Sequence, residues 1–208
     1  MTLDLSRPLV YLITPGACEP DSFTTSAGKL VETIAAAADA GVDLVQVREK
    51  RLGARMLFVL AERLVEVVRG SSTKLLINDR FDIALAAGAS GVHLTSTSMR
   101  PAVVRTCVPE DFVIGVSVHR GDDMAASTEG AELAVFGPVF PTPGKGGGVG
   151  TEILSEACKK AVTPIVAIGG INETNYREVL NAGAAGFAAI RALNDPASMR
   201  RILKELSR

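Results

Sequence analysis

The sequence predicts a single (β/α)8 barrel, and three observations carry that reading. Short apolar runs alternate with longer amphipathic segments eight times along the chain. The short runs are rich in Val, Ile and Leu without polar alternation, as parallel strands covered on both faces must be. Polar residues and glycines then gather just past one end of almost every run, the pattern of a barrel whose loops carry its chemistry.

In order, the predicted strands are Leu9–Ile13, Asp43–Val47, Lys74–Ile77, Gly91–Leu94, Phe112–Val116, Leu133–Phe136, Pro164–Ile168 and Gly186–Ile190. The segments between them have helical spacing. Leu30, Ile34 and Ala38 share a face, as do Leu57, Leu60, Leu64 and Val68, and as do Ile202 and Leu206 near the end. Ser26 reads as the start of one helix that exits at Gly41, and Asn172-Glu173 as the start of another that stops at Gly183. Ala-Gly steps before strands (Ala40-Gly41, Ala87-Gly88, Ala182-Gly183) repeat that exit. An open doubly wound sheet is the competing arrangement, but Leu9–Ile13 runs into Thr14-Pro15-Gly16, not a GxGxxG turn. No linker or low-complexity segment divides residues 1–208, so one domain is expected.

Composition excludes several function classes. Lys and Arg number 22 against 23 Asp and Glu, a net charge of -1, with no basic run and no Trp, which argues against a nucleic-acid partner. Hydrophobic residues reach 47%, enough for a substantial core. Cys18, Cys107 and Cys158 are odd in number and lack CxxC spacing, as suits reduced thiols in the cytoplasm. Met1 to Pro8 lacks a signal-peptide layout, and charges interrupt every apolar stretch before membrane-spanning length. A cytoplasmic protein with no membrane partner is expected; a homodimer is compatible with the sequence.

The candidate site lies on the strand exits. Gln46, Arg48 and Lys50 alternate along one side of an extended strand end, where two cations suit a phosphate or diphosphate and the amide suits a heterocycle edge. Asn78-Asp79 offers an amide and a carboxylate; Asp79 reads either as an Mg²⁺ ligand or as a cap for the helix starting at Phe81. Ser117 and His119 leave the fifth strand, His119 as the acid/base candidate, whereas His93 reads as structural. Thr142 to Gly148 departs from Walker A spacing and reads as a lid bringing Thr142 and Lys145 over a phosphate. Gly169-Gly170 allows close backbone approach to an anion, with Arg191 closing the same pocket.

In order, Gln46-Val47-Arg48-Glu49-Lys50, Asn78-Asp79-Arg80, Gly91-Val92-His93-Leu94, Gly115-Val116-Ser117-Val118-His119, Gly137-Pro138-Val139-Phe140-Pro141-Thr142 and Ala167-Ile168-Gly169-Gly170-Ile171 span nearly the whole chain. This set resembles the thiamine phosphate synthases and their relatives, the thiazole tautomerases. The resemblance implies coupling of an aminopyrimidine methyl diphosphate to a thiazole phosphate, with release of diphosphate. It implies pyrimidine contacts at Gln46 to Lys50, Asn78, Ser117 and Lys145, and Mg²⁺ at Asp79. Thiazole phosphate contacts are implied at Thr142, Gly170 and the Ile190-Arg191 step. Three positions depart from the synthase pattern: Ser98 stands where a second metal carboxylate is usual, Gly144 replaces a threonine, and Arg191 replaces a serine. The alternatives carried forward are a metal-free thiazole tautomerase using His119 and a non-catalytic binder of a thiamine intermediate.

Overall fold

Eight parallel strands close into a barrel in sequence order, β1 pairing with both β2 and β8. They are β1 (Leu9–Ile13), β2 (Leu44–Val47), β3 (Lys74–Asn78), β4 (Gly91–Leu94), β5 (Val113–Val118), β6 (Leu133–Phe136), β7 (Ile165–Ile168) and β8 (Gly186–Ala189). A computed structural model describes residues 3–142 and 146–206. Each predicted strand is present; the one displacement that matters is β5, which runs on to Val118 and so carries Ser117 inside the barrel wall.

Between the strands lie α1 (Phe23–Asp39), α2 (Ala54–Val68), α3 (Phe81–Ala86), α4 (Pro101–Arg105), α5 (Met124–Thr128), α6 (Gly150–Lys160), α7 (Tyr176–Asn181), α8 (Arg191–Asn194) and α9 (Pro196–Leu206). The α2 stripe of Leu57, Leu60, Leu64 and Val68 is buried as its spacing requires. On α1 the buried face is Ala27, Leu30, Ile34 and Ala37; Ala38, expected there, packs only partly.

Two helix starts differ from expectation. α1 begins at Phe23 after a short 3-10 turn, Pro20–Ser22, and Ser26 lies inside the helix with its hydroxyl donating to Ser22 O at 2.9 Å. Asn172 and Glu173 precede α7 in a turn closed by Asn172 N to Asn175 Oδ1 and Thr174 N to Asn172 Oδ1, both 2.8 Å. A short polar side chain satisfies nearby amides as readily in a turn as at a cap, which is why the sequence signal moved by a few residues.

Alternation within each strand divides the core in two. One set of side chains packs outward against the helices. The other, including Leu9, Tyr11, Ile13, Leu44, Leu76, Val113, Leu133, Val135, Val166 and Ala188, fills the barrel interior. Among the described residues no helix is long and apolar enough to cross a membrane.

Candidate active site

The uppermost inward position of every strand lines a cavity of about 840 Å³ at the carboxyl ends. On β2 to β5 these positions hold Gln46, Asn78, His93 and Ser117; on β6, β7, β8 and β1 they hold Val135, Ile168, Ala188 and Ile13. The floor is therefore polar on one half and apolar on the other. Above the polar half stand Arg48 and Lys50, and His119 joins the rim after β5. Above the apolar half stand Thr142, Gly169, Gly170, Ile190 and Arg191. Lys145 lies outside the described residues.

The motif around β2 works by alternation. Gln46, Arg48 and Lys50 line the cavity, while the buried Glu49 faces away from it. Glu49 accepts from Thr14 Oγ1 (2.6 Å), Gly16 N (3.2 Å) and Cys18 N (2.7 Å). Thr14 Oγ1 in turn accepts from Arg48 N at 2.8 Å. This carboxylate organises the loop after β1 and anchors the backbone of Arg48; it is fully engaged and pairs neither with Arg48 nor with a cation in the cavity. Thr14, one of the polar strand-exit residues, is likewise committed to this network, which the sequence pattern did not separate from the site.

Gln46 Nε2 donates to Asn78 Oδ1 at 2.8 Å. That bond leaves Gln46 an acceptor oxygen and Asn78 an NH₂ group, a paired donor-acceptor edge suited to a heterocycle with both functions.

His93 is 2% exposed, with Nδ1 3.2 Å from the Tyr11 hydroxyl and Nε2 2.9 Å from Ser117 Oγ. Burial first, and the nearby Arg48 charge second, lower its pKa to about 4. Free in an unfolded chain the ring takes up a proton near pH 6.5, whereas the folded ring resists until about pH 4. Acidification through that window therefore favours the unfolded chain, by about 3 kcal/mol when complete. Denaturant unfolding measured from pH 7 to pH 4 is expected to show this loss, and His93→Gln is expected to flatten it. An unchanged pH slope in the variant would show that other groups cause it.

His119 is half-exposed; its backbone N–H donates to Asp122 Oδ2 at 2.6 Å, and Nδ1 lies 3.7 Å from the same oxygen. Thr142 Oγ1 donates to Phe140 O at 3.2 Å within its own loop. Asn194 Nδ2 donates to Ile13 O (2.8 Å) and Ile190 O (2.7 Å), tying the Ile190-Arg191 step to the end of β1.

Asp79 sits at the exposed end of β3 with φ +67°, a conformation Asp tolerates better than most residues, held by its N–H to His93 O at 2.8 Å. Its Oδ1 accepts from the Ser98 hydroxyl. It does not cap α3, whose preceding residue is Arg80. Among the described residues no cluster of three His, Cys, Asp or Glu side chains is placed to hold a metal. A lone exposed carboxylate still fits Mg²⁺, because that ion commonly takes one or two protein carboxylates and completes its shell with phosphate oxygens and water.

The sequence model described as thiamine monophosphate synthase matches residues 10–193. This chain belongs to the thiamine monophosphate synthase family. A Geobacter sulfurreducens relative is 43% identical over 204 residues, covering 95% of this chain and 93% of that one. The thiamine-phosphate synthase of Albidiferax ferrireducens is 39% identical over 207 residues, covering 95% and 90%. Among solved structures, the thiamine phosphate pyrophosphorylase of Pyrococcus furiosus superposes with TM-score 0.81 at 29% identity, covering 98% of this chain and 97% of that one. The span matched to the family runs from β1 into α8, so it contains every residue of the cavity described above.

Proposed function

We propose that this member of the family joins an aminopyrimidine methyl diphosphate to a thiazole phosphate, forming thiamine phosphate and releasing diphosphate. The division of the cavity floor carries the reading. The Gln46–Asn78 edge suits the aminopyrimidine, with Arg48 and Lys50 above it for the diphosphate. The apolar half, beside Gly169-Gly170 and the Ile190-Arg191 step, suits the thiazole ring and its phosphate.

In the reaction the bond from the pyrimidine methylene to the diphosphate oxygen breaks, the pair leaving with diphosphate, and the thiazole nitrogen forms the new C–N bond. Arg48 and Lys50 neutralise the departing charge, Gln46 and Asn78 orient the pyrimidine, and Ser117 adds a hydroxyl between the two halves. Lys145 is assigned to the same leaving group. Mg²⁺ would be held by Asp79 with diphosphate and water oxygens, and would supply further neutralisation of the leaving group. His119, on the half-exposed rim, is assigned to contacts with the substrates. No observation favours the tautomerase or the non-catalytic binder. Free thiols at Cys18, Cys107 and Cys158 and phosphorylated substrates support a cytoplasmic setting.

Purified protein incubated with both substrates across a range of Mg²⁺ is expected to form thiamine phosphate and diphosphate in equal amounts. Absence of thiamine phosphate at every Mg²⁺ concentration would refute the assignment. Ser98→Asp provides a separate test of the metal ligand. An aspartate keeps the acceptor that Thr95 N now uses, at 2.7 Å, and places a second carboxylate beside Asp79. Mg²⁺ binding in the absence of substrate is expected to tighten roughly tenfold by calorimetry. Unchanged affinity would separate Asp79 from the metal.

A further inference from the structure

We propose that Tyr11 and His93 are positioning residues that hold the Ser117 hydroxyl as a hydrogen-bond donor into the cavity, toward an anionic oxygen of the substrate. The inference rests on the synthase reading for the identity of that oxygen, a diphosphate oxygen, and on geometry for the rest.

The three side chains come from β1, β4 and β5 and form a line from the sealed interior to the cavity. Tyr11 is 0% exposed, and among the described residues its hydroxyl has the one hydrogen-bond partner His93 Nδ1. The two rings meet at 5.9 Å between centroids and 59° between planes. The imidazole reaches the phenol because Gly115, its register partner on β5, has no side chain; a Cβ there would lie 3.1 Å from Nδ1.

A neutral imidazole has one N–H and one lone pair, so the line of bonds can run in two directions. With the proton on Nδ1, the ring donates to the phenol oxygen, and the phenol O–H points into the interior with no acceptor. Ser117 then donates back to Nε2 and offers the cavity lone pairs alone. With the proton on Nε2, Tyr11 donates to Nδ1, Nε2–H donates to Ser117 Oγ, and every buried donor is used. The cost of an unpaired buried hydroxyl favours the second arrangement by roughly tenfold or more. Ser117 then has its own hydrogen free, and it lines the same cavity as Arg48. The two arrangements thus present opposite chemistry to an anion, and the buried phenol selects the attractive one.

The tautomer can be read directly, because the chain has two histidines. In ¹⁵N-labelled protein near neutral pH, the His93 ring is expected to show a protonated Nε2 and an unprotonated Nδ1. His93→Gln assigns the signals, or His119→Gln by elimination if the first variant does not fold. Tyr11→Phe leaves Nδ1 without a partner in either tautomer and is expected to weaken that preference, so that protonated Nδ1 becomes detectable. Calorimetry with inorganic diphosphate supplies the functional arm. Ser117→Ala is expected to weaken binding about tenfold and Tyr11→Phe about two- to threefold, and Tyr11→Phe is expected to add nothing further in the Ser117→Ala background. A protonated Nδ1 in the unsubstituted protein, or additive losses in the double variant, would overturn the proposal. The spectrum needs no turnover, so a protein that fails to make thiamine phosphate refutes the synthase reading while this inference is still decided by the tautomer.

Discussion

Arg48→Ala is expected to lower kcat/KM for thiamine phosphate formation by about 10²–10³-fold, the loss seen when one preorganised group is withdrawn from developing charge. The backbone of Arg48 is held from Thr14 and Glu49, not through its guanidinium. Among the described residues the guanidinium forms no ion pair with a carboxylate, so its charge is available to a ligand. The variant should therefore fold normally, as thermal unfolding can check, and lose activity alone. Arg48→Lys should recover part of the loss, because it keeps the charge but not the planar fork. Activity within a few-fold of the unsubstituted enzyme would remove Arg48 from the leaving-group site.

Gly169→Ala is expected to destabilise the fold by about 2–4 kcal/mol and to abolish measurable thiazole phosphate binding. Gly169 has φ +103°, and a Cβ there would lie 2.5 Å from both Cα and Cβ of Pro138 and 3.0 Å from Val139 N. The loop after β6 is laced to this turn by Val139 N to Ile168 O (2.8 Å) and Phe140 N to Gly169 O (3.0 Å). The methyl group has no empty space to enter, so the loop must lift, and Thr142 moves with it. Urea unfolding and calorimetric titration with thiazole phosphate read the two effects separately. Gly28→Ala is the control: it lies inside α1, where the added Cβ meets nothing within 4 Å beyond its chain neighbours and the backbone of its own helix, and should be neutral or stabilising by up to about 1 kcal/mol. A Gly169→Ala protein as stable as the control would show that the loop yields without cost.

The barrel was legible because its two periodicities are written separately. Uninterrupted runs such as Leu9-Val10-Tyr11-Leu12-Ile13 cannot be exposed on either face, and the spacing of Leu57, Leu60, Leu64 and Val68 cannot be satisfied by a strand. The rim was legible for a related reason, since Gln46, Arg48 and Lys50 must share a side of an extended segment. Element starts were less so. Ser26 and Asn172 carry side chains that satisfy amides or carbonyls in turns and helix interiors as well as at caps, and local preference does not choose among those uses.

What the sequence determined by itself was which segments are strands, which of their ends carries polar groups, and which residues alternate onto a common side. Only closure of the barrel decided which side faces inward, because strand tilt and stagger set that and neither is encoded in one strand alone. Closure turned Glu49 away from the cavity to bind the β1 loop, brought Tyr11 beneath His93 across 82 positions of chain, and drew β5 on far enough to seat Ser117 in the wall. The reason is the same in each case. A buried polar atom is stable only opposite a partner, and for these atoms the partner lies on a different strand.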